Sequence, residues 1–367
     1  MKRSEEQKLN KDKQKAEWLL GKDVDELTHI ALTLGLPRYT GKQLADWLYK
    51  KQVKQIAEMS NLSKAAREQV SACYEVGGFA PVEVQQSVDG TKKYLFPLSH
   101  RFFIESVLIP DDDRATLCVS SQAGCRMGCR FCMTARQGLQ AHLTAGEIIS
   151  QFQNIHETAQ LTNAVYMGMG EPMDNLDEVL KSLRILTSDW GWGWSPRRIT
   201  VSTIGILPQL KRFLDESDCH LAISLHHPID AERQALVPMQ KVHPLADILA
   251  LIRQYDFSGQ RRVSFEYIMF KGVNDSLVCA AALSRLLRGL ECRVNLIRYH
   301  AIPDSPLQPS SPETIALFQK KLTEAGILVT LRASRGEDIL AACGLLSTKG
   351  REATKKSPHK NTDCANY

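Results

Sequence analysis

The sequence predicts an α/β protein in which six strand–helix units form a parallel sheet, preceded by a small, mainly helical accessory region. Three observations carry this expectation. Short β-rich runs recur at residues 115–121, 163–169, 198–203, 220–226, 263–269 and 293–299, with amphipathic stretches at 145–156, 176–187, 245–255 and 280–290 between them. The chain ahead of residue 80 lacks that alternation and reads as short helices. The residues with chemical potential fall at or just past the C-terminal ends of successive strands, the edge where loops of α/β folds converge on a ligand. Alternation alone leaves open whether the sheet curls into a partial barrel; the strand-end placement speaks for one.

In chain order, residues 1–16 are charged and lack the apolar stretch of a signal peptide. Trp18, Leu19, Leu20 and residues 27–36 are apolar, and Gly35-Leu36-Pro37 ends the second run. Residues 43–53 place Leu44, Trp47, Leu48 and Val53 at roughly helical spacing. Residues 81–105 look like extended strands around a turn at Asp89-Gly90. After the six units, a helix at 312–325 and a strand at 328–333 complete the pattern. These readings divide the chain into an accessory domain, 1–95, a catalytic domain, 96–345, and a basic tail, 346–367, expected to be disordered.

The chain has 367 residues, 43% hydrophobic and 24% charged, enough to bury a substantial core. No run of about 18 apolar residues suggests a membrane span, so a cytoplasmic enzyme is expected. In that compartment ten cysteines point to metal binding or catalysis rather than to a disulfide framework. The formal charge of +5 is compatible with a nucleic-acid partner without establishing one.

Cys125, Cys129 and Cys132 stand as C-R-M-G-C-R-F-C, in a loop with Gly124 and Gly128. A loop of this spacing can wrap three thiolates around one inorganic cluster. No Cys or His follows at zinc-like spacing, although His142 lies ten residues on, and a structural zinc would want a fourth protein ligand. Three ligands leave one iron of a 4Fe-4S cube open to a small chelating molecule.

C-x-x-x-C-x-x-C is the hallmark of the radical S-adenosylmethionine (radical SAM) superfamily, which the chain resembles there. Much more of it resembles the RlmN group of dual-specificity RNA methyltransferases, with the related Cfr enzymes next. The matching stretches are residues 115–138, G-M-G-E-P at 168–172, T-V-S-T-I-G at 200–205, A-I-S-L-H-H-P at 222–228, V-N-L-I at 294–297 and V-T-L-R-A-S-R-G-E-D-I-L-A-A-C-G at 329–344. Residues 41–48 and 59–64 also look like the family's accessory domain, so the resemblance covers roughly 20 to 345 in order.

The resemblance implies a partial (βα)6 radical SAM barrel. It implies a 4Fe-4S cluster on Cys125, Cys129 and Cys132, with S-adenosylmethionine, two molecules per turnover, at Gly170, Glu171, Ser202, Ser224, Leu225, His226 and His300. The family has Asn at the last of these positions. Cys343 then carries a methyl group, Cys118 resolves the product by forming a transient disulfide with it, and Glu105 is the general base. The implied substrate is carbon 2 of an adenine in 23S rRNA and certain tRNAs; Pro172 favours this over Cfr-type chemistry at carbon 8. A non-enzymatic iron–sulfur or zinc protein that binds RNA is the alternative from another class. The implied partners are RNA, held in part by the accessory domain, and an electron donor such as flavodoxin or ferredoxin, with the protein a monomer. Cys73, Cys219, Cys279, Cys292 and Cys364 are read as ordinary core or surface residues. Among basic clusters, Arg197-Arg198 and Arg261-Arg262 are candidates for RNA contact.

Overall fold

A computed structural model describes residues 16–98, 102–259 and 261–348. Ten strands form one sheet: β1 (Glu83–Gln86), β2 (Lys92–Pro97), β3 (Phe103–Asp111), β4 (Arg114–Cys118), β5 (Asn163–Tyr166), β6 (Ile199–Thr203), β7 (His220–Ser224), β8 (Val263–Met269), β9 (Cys292–Arg298) and β10 (Leu328–Leu331). Spatial order follows sequence order, with β1–β4 antiparallel and β4–β10 parallel.

Each parallel step is bridged by a helix: Ala145–Gln153, Leu176–Thr187, Leu207–Glu216, Leu245–Ile252, Leu277–Leu286 and Pro312–Glu324. Crossovers of this kind are right-handed, so a sheet that always advances in one direction keeps all its helices on one face and curls toward a barrel. The edges do not meet among the described residues, because β10 pairs only with β9 and β1 only with β2. The result is the expected partial barrel. The central strand β8 is buried on both faces, with Phe265, Tyr267 and Met269 on one and Glu266 and Ile268 on the other, whereas the edge strands β1 and β10 alternate.

The accessory region is helical, from Val24–Thr33 to Lys64–Cys73. A capping box between Asp23 and Glu26 starts the first of these helices, and Leu27, Leu44, Leu48 and Val70 close its core. It docks on helix Ala145–Gln153. Gly21, at φ +91°, lies so close that an added Cβ would stand 2.1 Å from the Gly146 amide nitrogen. Gln153 Nε2 donates to Leu48 O at 2.9 Å, and Lys54 Nζ to Gln153 O at 2.8 Å.

Three details differ from the sequence reading. The sheet begins at Glu83, so residue 95, the expected end of the accessory region, falls within β2, which hydrogen-bonds to β3. The strands expected to reach 121, 169 and 226 end as regular ladder at Cys118, Tyr166 and Ser224, although single bonds still join the chain beyond, Val119 N to Val165 O at 2.9 Å and Leu225 N to Glu266 O at 3.0 Å, up to the positive φ of Gly170 and His226. The tail expected to be disordered from residue 346 begins later: Leu346 and Thr348 are buried, and the Ser347 and Thr348 amides donate to Glu105 and Gln137 at 2.9 and 3.0 Å; residues from 349 on and the lysines before residue 16 lie outside the described residues.

Candidate active site

A cavity of about 140 Å³ opens at the C-terminal ends of the parallel strands. Of the expected residues, Cys125, Cys129, Cys132, Gly170, Glu171, Ser202, Ser224, His226 and Cys343 line it. The triplet loop leaves the short pairing of Gln122–Ala123 with Ala141–His142 and ends in helix Met133–Gln137. Burial pushes the Cys125 thiol up to about 12, and pushes Cys129 well up with added repulsion from Cys132 and Cys125. His142 instead bonds Gln122 Nε2 through Nδ1 at 3.1 Å.

Three crowded, desolvated thiols fit an iron–sulfur cluster well, since thiolate binding to iron replaces the protonation that burial otherwise enforces. Among the described residues no set of three or more His, Cys, Asp or Glu side chains converges closely enough to share one metal ion. A cluster asks for something different, because its ligands bind separate irons.

Gly170, at φ +102°, brings the backbone against Gln122; an added Cβ would lie 2.6 Å from the Gln122 Cβ. That close approach turns the Glu171 carboxyl inward, where it caps the turn Pro172–Asn175. Its Oε1 accepts from the Met173 amide at 3.0 Å and its Oε2 from the Ile204 amide at 3.0 Å. Burial outweighs these bonds and raises Glu171 to about 7.

His226 is 3% exposed and sits at φ +57°, a left-handed conformation costly for a residue other than glycine. Asn274 Nδ2 holds its carbonyl at 2.6 Å, and the Ile268 amide donates to Nδ1 at 3.2 Å. Burial lowers the imidazole to about 3, so it is neutral. With Nδ1 accepting, the proton belongs on Nε2, which makes that atom a donor.

The segment carrying Cys343 is tied to the triplet helix. Met133 N donates to Gly344 O at 2.8 Å, and Thr134 Oγ1 to Leu346 O at 2.7 Å. Cys343 stands at the open rim, although atoms packed about its sulfur still raise the thiol, against the pull of Arg332. Cys118 ends β4 and is buried behind the lining rather than on it; burial and then the charge of Cys343 push it up to about 12, with Arg332 opposing. The two cysteines therefore share one electrostatic neighbourhood.

Glu105, 3% exposed, lies beside this segment rather than on the cavity wall. Its Oε1 is 3.2 Å from Lys93 Nζ, and its Oε2 accepts the Ser347 amide at 2.9 Å. Leu225 is wholly buried, and it is its carbonyl that is engaged, by Arg233. His300 does not reach the cavity: its Nε2 is 3.1 Å from Ser334 Oγ, and Nδ1 is 3.8 Å from Glu337. Those contacts turn the ring toward the chain leading to Cys343.

Three functional candidates escape a sequence reading. Arg233, with no exposed surface, donates to the carbonyls of Leu225 (3.0 Å), Ser224 (2.9 Å) and Ile204 (3.1 Å) and to Gln240 Oε1. It thus pins two strand ends of the cavity. Glu266 and Arg332, 3.3 Å apart, occupy inward positions of β8 and just past β10. The only signal in sequence is a charged residue interrupting an apolar strand.

Of the lone cysteines, Cys219 and Cys279 are buried, Cys292 is half-buried and Cys73 is exposed, none of them at the cavity; Cys364 lies outside the described residues. Arg197, Arg198, Arg262 and Arg293 gather at the opposite, N-terminal mouth of the barrel. After burial, the charges of Arg262, Arg197 and Arg293 lower His220 there. Arg261 instead points inward and donates to Leu214 O at 2.8 Å. No helix among the described residues is long and apolar enough to cross a membrane.

Residues 119–282 match the radical SAM superfamily, and residues 18–76 match the ribosomal RNA large subunit methyltransferase N-terminal domain. A probable dual-specificity RNA methyltransferase RlmN from Phocaeicola vulgatus is 57% identical over 337 residues, covering 92% of this chain and 97% of that relative. A dual-specificity RNA methyltransferase RlmN from Syntrophus aciditrophicus is 44% identical over 335 residues, covering 90% and 96%. The crystal structure of a radical SAM methyltransferase from Sphaerobacter thermophilus superposes with a TM-score of 0.84 at 40% identity, covering 90% of this chain and 99% of that one.

Proposed function

The chain belongs to the RlmN family of radical SAM RNA methyltransferases, and from that premise we propose that it methylates carbon 2 of an adenine in 23S rRNA and in certain tRNAs. The observation that carries this reading is the meeting of Cys118 and Cys343, remote in sequence, under one Arg332 and beside the three triplet thiols. Adenine carbon 2 is electron-poor and does not attack a sulfonium methyl, so the chemistry needs both a radical source and a separate methyl carrier.

In this reading Cys125, Cys129 and Cys132 hold a 4Fe-4S cluster, and Gly170, Glu171, Ser202, Ser224 and His226 hold S-adenosylmethionine. The cluster with its bound cofactor supplies one-electron cleavage of the sulfonium. Cys343 carries the methyl group to the base: Arg332 favours its thiolate, which is the nucleophilic form. Glu105 removes the proton that frees the product; Lys93 and the Ser347 amide fix its carboxyl beside the Cys343 segment. Cys118, as thiolate, attacks the Cys343 sulfur and breaks its bond to the carbon now attached to the base; that carbon keeps the electron pair and takes a proton, so methyladenine leaves and the two sulfurs end as a disulfide. His226 offers Nε2–H as a fixed neutral donor. The accessory helices and the arginines at the far mouth are the surfaces offered to RNA phosphates. A reductant of the flavodoxin or ferredoxin class and a monomeric, cytoplasmic protein complete the proposal.

The test uses Cys118→Ala with cluster, S-adenosylmethionine and an rRNA fragment under anaerobic conditions. The expected result is an RNA–protein adduct through Cys343 with little free methylated nucleoside. Normal release of methyladenine by this variant would overturn the paired-cysteine role, and mass mapping to carbon 8 would overturn the carbon 2 assignment.

A further inference from the structure

Glu266 faces the cavity from the middle of β8 and is 3% exposed. Its Oε1 is well supplied, accepting from Asn295 Nδ2 at 2.8 Å, Ser264 Oγ at 3.1 Å and Arg332 at 3.3 Å. Its Oε2 is equally buried and accepts nothing. Buried carboxylate oxygens without donors are rare and costly. The three bonds to Oε1 fix the carboxyl plane, so Oε2 is held ready for a donor that arrives with a ligand.

The surroundings say which ligand. Arg332, 3.3 Å from Glu266 Oε1, also reaches Met167 Sδ at 3.4 Å on the cavity wall, two residues past Val165, the β5 partner of Cys118; the charges of Arg332 and Glu266 also act on Cys343. The cavity's other buried carboxylate, Glu171, already has both oxygens occupied, by the Met173 and Ile204 amides at 3.0 Å each. Glu266 is therefore the buried carboxylate of this cavity with an oxygen free for a ligand, and through Arg332 it is joined to the wall beside Cys118.

We propose that Glu266 Oε2 accepts a hydrogen bond from the exocyclic amino group of the adenine presented to Cys343, which makes Glu266 a specificity-determining residue. An amino group at carbon 6 donates to a carboxylate. The carbonyl oxygen of hypoxanthine would meet it lone pair to lone pair, and unsubstituted purine would leave Oε2 unpaired, so both are disfavoured. Asn295, Ser264 and Arg332 act on the base only through Glu266 and are positioning residues. The inference rests on the adenine reading above.

The test measures equilibrium binding of the cluster-loaded enzyme, by fluorescence anisotropy, to an rRNA fragment with adenosine, inosine or purine riboside at the target position. Wild type should bind the adenosine fragment about tenfold or more tighter than the other two, the size expected for a hydrogen bond to a charged acceptor. Glu266→Gln should shrink the preference over inosine to about twofold or less, because an amide can also donate to the 6-oxo group. Equal affinity of wild type for adenosine and purine riboside overturns the proposal and needs no variant to fold. So does a Glu266→Gln enzyme that keeps the base preference but loses S-adenosylmethionine binding without RNA, since the carboxylate then serves the cofactor. If wild type methylates the fragment and yet shows no base preference, only this inference falls; if it yields no methyladenine, the reading beneath it falls as well.

Discussion

Replacing Arg233 with Met would test how the cavity wall is held. The guanidinium spans three carbonyls on two strand ends, Ser224, Leu225 and Ile204, all within 3.1 Å. Methionine fills similar volume but donates nothing, and these carbonyls are too deep for water to replace the lost bonds. At about 1 kcal/mol for each buried acceptor left unmet, the loss is about 3 kcal/mol. Burial already lowers Arg233 to about 10, so part of that loss is returned when the buried cation goes. A net destabilisation of about 2–3 kcal/mol is expected in urea unfolding followed by circular dichroism. Arg233→Lys separates charge from geometry: one ammonium cannot bridge three carbonyls, so it should recover less than half. A Met variant within about 0.5 kcal/mol of wild type, or a Lys variant fully as stable, would refute the reasoning.

Gly170→Ala should lose S-adenosylmethionine binding, measured by equilibrium dialysis, because a Cβ 2.6 Å from Gln122 Cβ and a φ of +102° both oppose it; unchanged affinity would mean the strand end tolerates a shift. Asp89, in the β1–β2 turn, accepts the Gly336 amide at 2.9 Å and so anchors the chain leading to Cys343. Burial raises its carboxyl, but bonds from Gly336, Thr91 and Ser87 hold it down at about 2. With a folded value below the unfolded one near 3.8, its contribution is full above that pH and is lost as pH falls through 2. Asp89→Asn should therefore cost about 1 kcal/mol at pH 7, after allowance for solvent screening, with the gap closing between pH 4 and 2. A gap independent of pH would refute the assignment.

What the sequence reveals here is what local spacing encodes. The triplet is legible because three ligands within eight residues need no tertiary structure to be near one another. The β8 run V-S-F-E-Y-I-M is legible as a strand because burial makes it apolar apart from Ser264 and Glu266. Residues 119–121, 167–169 and 225–226 read as strand because their backbone is still bonded to neighbouring strands, although the regular ladder has already stopped short of the positive φ of Gly170 and His226. Glu266, Arg332 and Arg233 matter through convergence: Arg332 acquires its role only when the curling sheet brings β10 toward β4 and its Cys118. His300 shows the reverse case, a residue in the family's pattern position whose side chain is taken by Ser334 and Glu337.

The most direct test of the account is anaerobic turnover of the cluster-loaded enzyme with S-adenosylmethionine carrying a CD3 methyl group, followed by nucleoside mass spectrometry. If Cys343 carries the methyl and one hydrogen is removed before it reaches the base, the product is 2-methyladenosine with two deuteriums. A product that keeps all three would contradict the account, because it would mean the methyl group moved intact.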